Sequence, residues 1–297
     1  MVMHTDQLDL TAETARRLVD DQFPQWRHLP LHQVDSDGTV NAIFRIGDEF
    51  AARFPLRAEE PTEVRAWLVA EAEAAAELAA CSPVPAPLPV ALGEPGYGYP
   101  LSWAVQTWLP GRVASVEDPG GSLAFARDLA TFVRTLRAVD TRGRRFSGGG
   151  RGGELPDHDD WVALCFDRSA GMVDVPRLRR LWAQLRTLPP AGPDVMSHKD
   201  LIPGNVLVGD GRLTGVLDGG GFGPADPGLD LVGAWHLLDR PARDEFARAL
   251  GCGDVEWGRG MAWALQQAIG LVWYYAETNV PMSRLGRRTV ARLLAAT

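Results

Sequence analysis

Residues 195–230, VMSHKDLIPGNVLVGDGRLTGVLDGGGFGPADPGLD, restrict this chain more than any other stretch. Asn205 follows Asp200 by five residues, and Asp218 follows Asn205 by thirteen. Between them, Val206–Val208 and Leu213–Leu217 flank Gly209-Asp210-Gly211-Arg212, turn chemistry that predicts two short strands folded back on each other. A loop running into a hairpin brings side chains that are distant along the chain to one end of the unit. Three oxygen-bearing side chains can then meet around one divalent cation, provided that a larger scaffold holds the unit.

Those residue types point to a chemistry. Phosphoryl transfer from ATP needs a carboxylate that holds an acceptor hydroxyl and takes its proton. It also needs oxygen ligands for Mg2+, one amide and one carboxylate. Asp200, Asn205 and Asp218 supply that set. Singly, Asn205 also fits a turn after Pro203-Gly204 and Asp218 a strand-end cap. His198 is a second candidate for the base, because imidazole titrates near neutrality.

The rest of the chain reads as a scaffold of two parts. Residues 11–22 and 62–80 have helical character, the second rich in Ala, Leu and Glu. Leu31–Val34, Val40–Ile46, Glu49–Phe54 and Leu101–Trp108 read as strands, with Gly47-Asp48 as a hairpin turn. Pro83, Pro85, Pro87 and Pro89 force an extended connector. Beyond Leu109-Pro110-Gly111 the period changes, and 121–138, 176–187, 241–250, 256–278 and 283–295 read as helices. A small sheet with one helix followed by a larger helical part is an α+β plan. Ser147–Gly153 (SGGGRGG) follows a helix rather than a strand, so it reads as a flexible loop and not as a phosphate cradle.

Ser197–Val208 and Val216–Gly219 resemble the His-Gly-Asp-x-x-x-x-Asn loop and the Ile-Asp-x-Gly segment of the aminoglycoside phosphotransferase family. That family is a small-molecule branch of the protein-kinase-like fold, and the likeness extends over residues 30–275. It implies a two-lobe protein, with a nucleotide-binding lobe over 1–108 and a catalytic and acceptor-binding lobe over 109–297. It implies Asp200 as catalytic base, Asn205 and Asp218 as Mg2+ ligands, and His198 as a structural member of the catalytic loop. Asp230-Leu231-Val232 is similar to the family's Asp-Leu-Ala segment, whose Asp braces that loop.

For the nucleotide, the resemblance sets Gly38-Thr39-Val40-Asn41 at the phosphate loop, where Ser36, Gly38 and Thr39 would offer hydroxyl and amide donors. Arg53 stands where protein kinases place a lysine, and either Glu71 or Glu73 is its partner on the following helix. The alternative for Arg53 is a surface position on an edge strand. Backbone groups near Thr107 and Leu109 would meet the base, beside Gln106, and such contacts leave ATP against GTP open. Lys199 replaces a small residue before the base. It either touches Asp200 or a phosphate, or it points away from the site. Asp218-Gly219-Gly220 lacks the Phe of the protein-kinase segment and no Ala-Pro-Glu follows, which favours a small-molecule kinase over a regulated protein kinase.

The acceptor is expected in the helical part. An aminoglycoside carries several ammonium groups and needs carboxylates. Candidates are Asp157, Asp160, Asp226 and Glu277, with Glu154 and Asp159 in the same acidic run. That run fits a helix N-terminus equally well. Aromatics such as Trp161, Trp235, Trp263, Tyr274 and Tyr275 sit at helical spacing and read as core. If several lined a cleft instead, they would suit an apolar acceptor such as a macrolide. The expected function is therefore ATP- and Mg2+-dependent O-phosphorylation of a small molecule, foremost an aminoglycoside-type antibiotic. A macrolide, a metabolic alcohol or amino-sugar, or a non-catalytic nucleotide-binding module are the alternatives.

Composition narrows the partners. Thirty basic against 38 acidic residues give a net charge of −8, which disfavours nucleic acid. The three cysteines form no C-x-x-C pair, so neither a disulfide framework nor a zinc knuckle is expected. No apolar run reaches the 18 residues of a membrane span and no signal-like segment opens the chain, so the expected compartment is the cytoplasm.

Overall fold

The alternating segments between residues 31 and 107 pair into one antiparallel sheet. The structure, a computed structural model, describes residues 8–34, 41–148 and 151–297. Helix α1 (Ala12–Gln22) is capped by Thr11, whose hydroxyl accepts from the Thr14 amide at 3.0 Å. Strands β1 (Leu31–Gln33), β2 (Asn41–Ile46) and β3 (Phe50–Pro55) follow, then helix α2 (Pro61–Cys81). Strands β4 (Pro89–Gly93) and β5 (Trp103–Thr107) complete a five-stranded sheet in the order β1-β2-β3-β5-β4. Strand β3 is thus central, and Arg53 lies on an internal strand rather than at an edge. The proline connector ends as β4, with Pro89 at the edge and the register shifting between Pro89 and Ala91. An edge strand is where a missing amide donor costs least.

One face of the sheet builds a core from Phe44, Phe54, Trp103 and Leu68. Phe54 and Trp103 stack with ring centroids 4.6 Å apart, a contact type adding about 1 kcal/mol beyond burial. The Trp103 ring fills the space above Gly93. A Cβ there would sit 2.0 Å from it, so only glycine permits the approach.

The larger part begins with β6 (Arg112–Val113) and α3 (Leu123–Arg137) and continues through α4 (Asp159–Arg168) and α5 (Val175–Leu185). Strands β7 (Val195–Ser197), β8 (Val206–Gly209), β9 (Arg212–Val216) and β10 (Gly223–Ala225) carry the 195–230 segment. They form two small sheets, β6-β8-β9 and β10-β7. Helices α6 (Val232–Leu237), α7 (Arg240–Leu250), α8 (Asp254–Tyr274) and α9 (Val280–Leu294) close the chain. Two cores hold this part together. One joins α3 to β7–β9, and the other joins α4, α5 and α8. Leu78 near the end of α2 belongs to the first of these, so the helix of the sheet part is anchored in the helical part.

Most helices fall where the periodicity predicts them. Helices α4 and α6 do not; all six residues of α6 are buried, so it shows no polar face to read. Helix α4 begins inside the acidic run, and its first turn holds Asp159 and Asp160, as the dipole at a helix start favours. No helix among the described residues is long and apolar enough to cross a membrane.

Candidate active site

The hairpin β8–β9 folds as the turn chemistry requires, pairing Val206 with Val216 and Gly209 with Arg212. The Leu217 amide donates to the Asn205 carbonyl at 2.8 Å, which sets Asn205 directly beside the strand end that leads into Asp218. Asn205 spends its Nδ2 on the Asp200 carbonyl at 3.1 Å, leaving its Oδ1 available as a ligand oxygen. Asp200, Asn205 and Asp218 are therefore joined through one short network.

That network is held from behind. Asp230, 2% exposed, accepts from the amides of His198 at 2.9 Å and Lys199 at 2.8 Å. The fully buried His198 donates from Nε2 to the Leu217 carbonyl at 3.0 Å, and its Nδ1 accepts from the Asp200 amide at 3.3 Å. Both ring nitrogens are thus spent on the backbone, which corrects the alternative of His198 as the base: it is a strut between the two acidic segments. Lys199 and Asp218 adopt left-handed backbone (φ +70° and +58°), a cost that the surrounding bonds offset. The Lys199 ammonium lies 5.7 Å from the centre of the Phe146 ring, and the charges acting on it are those of Asp230 and Asp194. Burial lowers its pKa, with Asp230 and Asp194 opposing.

Arg53 donates to Asp218 at 2.7 Å. Burial alone would raise the Asp218 pKa, but Arg53, His198 and Arg151 outweigh it and hold the carboxyl below its usual range. The expected Arg53–glutamate ion pair is not formed: the guanidinium is committed to Asp218, and Glu71 acts on it only through space. Glu71 rather than Glu73 faces the site. It packs on Gly220, where a Cβ would come within 2.9 Å of its side chain. Burial pushes its carboxyl up to about 7, with Arg53 opposing and Asp218 adding to the shift. A Cβ on Gly219 would fall 2.5 Å from Leu78. The Gly-Gly pair after Asp218 thus exists so that α2 can lie against it, a role that local patterning does not reveal.

Of the expected nucleotide contacts, Ser36, Gly38 and Thr39 lie outside the described residues. The Thr107 amide donates to the Leu88 carbonyl at 2.9 Å, so it is not available to a base. Leu88 in turn donates to the Thr107 hydroxyl at 2.9 Å rather than to its carbonyl. Trp108 bonds the Glu49 carbonyl at 2.7 Å, and Leu109 donates to no backbone carbonyl among the described residues.

The acceptor side departs most from expectation. Asp226 is buried and paired with Arg259, whose Nε donates to it at 2.6 Å, while its other oxygen caps the Gly228 amide at 2.6 Å. It is a core ion pair and not a substrate contact. Asp157, Asp160 and Glu277 are exposed and do not line the cavity nearest Asp200. Asp159 is held by Arg186 and by the Trp182 indole at 2.8 Å. The cavity itself has a volume of about 350 Å3, and its walls include Arg57, Arg151, Trp161, Gln267, Tyr274 and Tyr275. Trp235 and Trp263 are core, whereas Trp161 and the two tyrosines are wall. Arg151 also forms an ion pair with Asp200. It comes from the glycine-rich segment that read as a plain loop, and only its charge could have drawn attention to it.

The donor set fits Mg2+ in kind. Asp218 and the Asn205 amide oxygen are hard ligands, and an ion that keeps waters and phosphate oxygens needs no more than one or two protein ligands. Among the described residues no cluster of three His, Cys, Asp or Glu side chains could hold a metal alone.

Comparison with known proteins gives a consistent picture. The sequence profile described as "Phosphotransferase enzyme family" (APH) matches residues 31–263. An aminoglycoside 3'-phosphotransferase of Escherichia coli is 27% identical over 151 residues, covering 46% of this chain and 53% of that protein. One of Salmonella typhimurium is 26% identical over 156 residues, with the same coverage. The chain thus spans about half the length of the curated relatives it matches. Among solved structures, the GDP complex of aminoglycoside 2'-phosphotransferase-IIIa superposes with a TM-score of 0.71 at 17% identity, covering 97% of this chain and 100% of that one. Macrolide 2'-phosphotransferase MphH from Brachybacterium faecium gives 0.60 at 19% identity, covering 91% and 95%. At these identities the structures speak for a shared kinase-like α+β fold.

Proposed function

The chain belongs to the phosphotransferase enzyme family, and we propose that it transfers the γ-phosphoryl group of a nucleoside triphosphate to a hydroxyl of a small-molecule acceptor. The observation that carries this reading is the bracing of Asp200, Asn205 and Asp218 into one unit by Asp230 and His198. In this reading residues 1–108 bind the nucleotide and 109–297 supply the catalytic groups and the acceptor. The Thr107 carbonyl and the Leu109 amide face the base. Backbone contacts of that kind serve ATP, our first assignment, and GTP alike.

Asp200 receives the acceptor hydroxyl and takes its proton as the oxygen attacks phosphorus in line with the leaving oxygen. Asp200 must leave its ion pair with Arg151 to do so. Arg53 holds Asp218 ionised and in place for a cation. Asp218 and the Asn205 Oδ1 would hold Mg2+, which when bound supplies charge neutralisation at the phosphates. Asp230 and His198 fix the loop and touch no reactant. Both relatives and structural neighbours are named for aminoglycosides or macrolides, so an antibiotic of those classes is the first acceptor to assay.

The test is nucleotide consumption over a panel of aminoglycosides, macrolides, metabolic alcohols and acidic alcohols, with direct nucleotide binding measured in parallel. Turnover with any acceptor supports the reading; binding without turnover throughout would leave a nucleotide-binding module. Asp218→Ala is expected to abolish Mg2+-dependent nucleotide binding, and unchanged affinity would remove its assignment as a ligand.

A further inference from the structure

The cavity beside Asp200 has a charge opposite to the one an aminoglycoside needs. Among the described residues its wall carries two guanidinium groups, Arg57 and Arg151, and no carboxylate. Arg57 is exposed and has no ion-pair partner among the described residues. Among the described residues Arg151 forms an ion pair with Asp200 alone, the group that must be freed for chemistry. Burial works against the Arg151 charge, but Asp200 outweighs it, so its pKa is raised and it stays cationic.

Two other features indicate an occupant. Gln267, whose side-chain amide reaches the buried His236, adds a polar group to the same wall. A side-chain amide there can offer a ligand both a donor and an acceptor. Trp161 lies flat enough on α8 that a Cβ at Gly270 would fall 2.9 Å from its ring, and with Leu271 and Tyr274 it gives an apolar wall.

We propose that the acceptor is a hydroxylated molecule carrying an oxyanion, a carboxylate or a phosphate, on an aromatic or apolar body, with the oxyanion held by Arg57 and Arg151. Guanidinium forks match both oxyanions in a bidentate way. The arrangement also couples binding to chemistry. An incoming oxyanion competes with Asp200 for Arg151, and the released Asp200 is then free for the acceptor hydroxyl. A polycation would meet two like charges and would leave Asp200 paired. That the bound hydroxyl is the reacting group rests on the phosphotransferase reading; the charge preference does not.

The test is calorimetric titration of the full chain with 4-(hydroxymethyl)benzoate, 4-(hydroxymethyl)phenyl phosphate, the methyl ester of the benzoate and 4-(hydroxymethyl)benzylamine. At least one of the two anions is expected to bind about tenfold tighter than the ester or the amine. Whichever anion binds tighter identifies the source of the oxyanion. Arg57→Glu is expected to remove the preference and Arg57→Lys to restore part of it. Affinities equal within about twofold, a preference for the amine, or no saturable binding up to about 10 mM overturns the proposal. So does an Arg57→Glu variant that keeps the preference while losing ADP affinity, which would place Arg57 on the nucleotide phosphates. Failure of the wild-type protein to bind ADP with Mg2+ would strike the phosphotransferase reading and leave the charge preference standing.

Discussion

The hairpin that carries Asp200, Asn205 and Asp218 and the cavity beside it are built in opposite ways. The hairpin draws its functional groups and its braces from residues 198–230, and Asp230, His198 and Asn205 all bond backbone of the same segment. The cavity collects its wall from Arg57, Arg151, Trp161, Ile202, the end of α8 and Met282, which meet only because the helices pack as they do. The first kind of site keeps its chemistry while the rest of the chain changes. The second can change charge and shape one side chain at a time. A family likeness therefore transmits the reaction far better than it transmits the acceptor.

Four measurements would break or sharpen that contrast. The largest effect is expected for Asp200→Asn, a fall in turnover on the order of a thousandfold with nucleotide affinity retained. Turnover close to wild type would move the base elsewhere. Next is Asp230→Ala, which leaves the His198 and Lys199 amides without their carboxylate. A loss of about 3 kcal/mol in urea unfolding is expected, and less than about 1 kcal/mol would mean that the loop is not held from behind.

The third concerns His236, fully buried on α6, which bonds Thr289 at 2.9 Å. Burial lowers its pKa to about 3, from 6.5. The folded state therefore stays neutral while the unfolded chain takes up a proton, so stability is unaffected above pH 6.5 and falls as pH drops below it. The slope is about 1.4 kcal/mol per pH unit, giving a loss of about 2 kcal/mol at pH 5. His236→Gln should flatten that limb of the stability curve, and an unchanged slope would remove His236 as its source. The smallest effect is expected for Trp161→Ala: an acceptor KM raised by about fivefold to tenfold with kcat little changed. A matching drop in kcat at constant KM would place the ring against the reacting atoms instead of on the cavity wall.

How much of this could be read beforehand varies residue by residue. Asp200, Asn205, Asp218 and Asp230 stand out because their spacing within one segment is itself the geometric requirement. Arg53 could be found by position but not by partner, since the choice of Asp218 over Glu71 is decided by how far the central strand lies from the hairpin end. Asp226 misled as an acidic candidate, because Arg259, its partner, lies 33 residues onward on α8 and nothing local connects them. Arg151 was hidden in a glycine-rich loop, where composition suggests mobility and says nothing of which carboxylate the loop reaches.

By itself the amino-acid order determined the α+β plan, the hairpin and the oxygen-bearing groups at its mouth, because strand period, turn chemistry and ligand spacing are all properties of neighbouring residues. Tertiary structure alone decided the sign of the acceptor cavity, the partner of each arginine and the need for glycine beneath α2. Those depend on which distant surfaces meet, and a guanidinium acts on whatever charge the packing brings within a few ångströms of it.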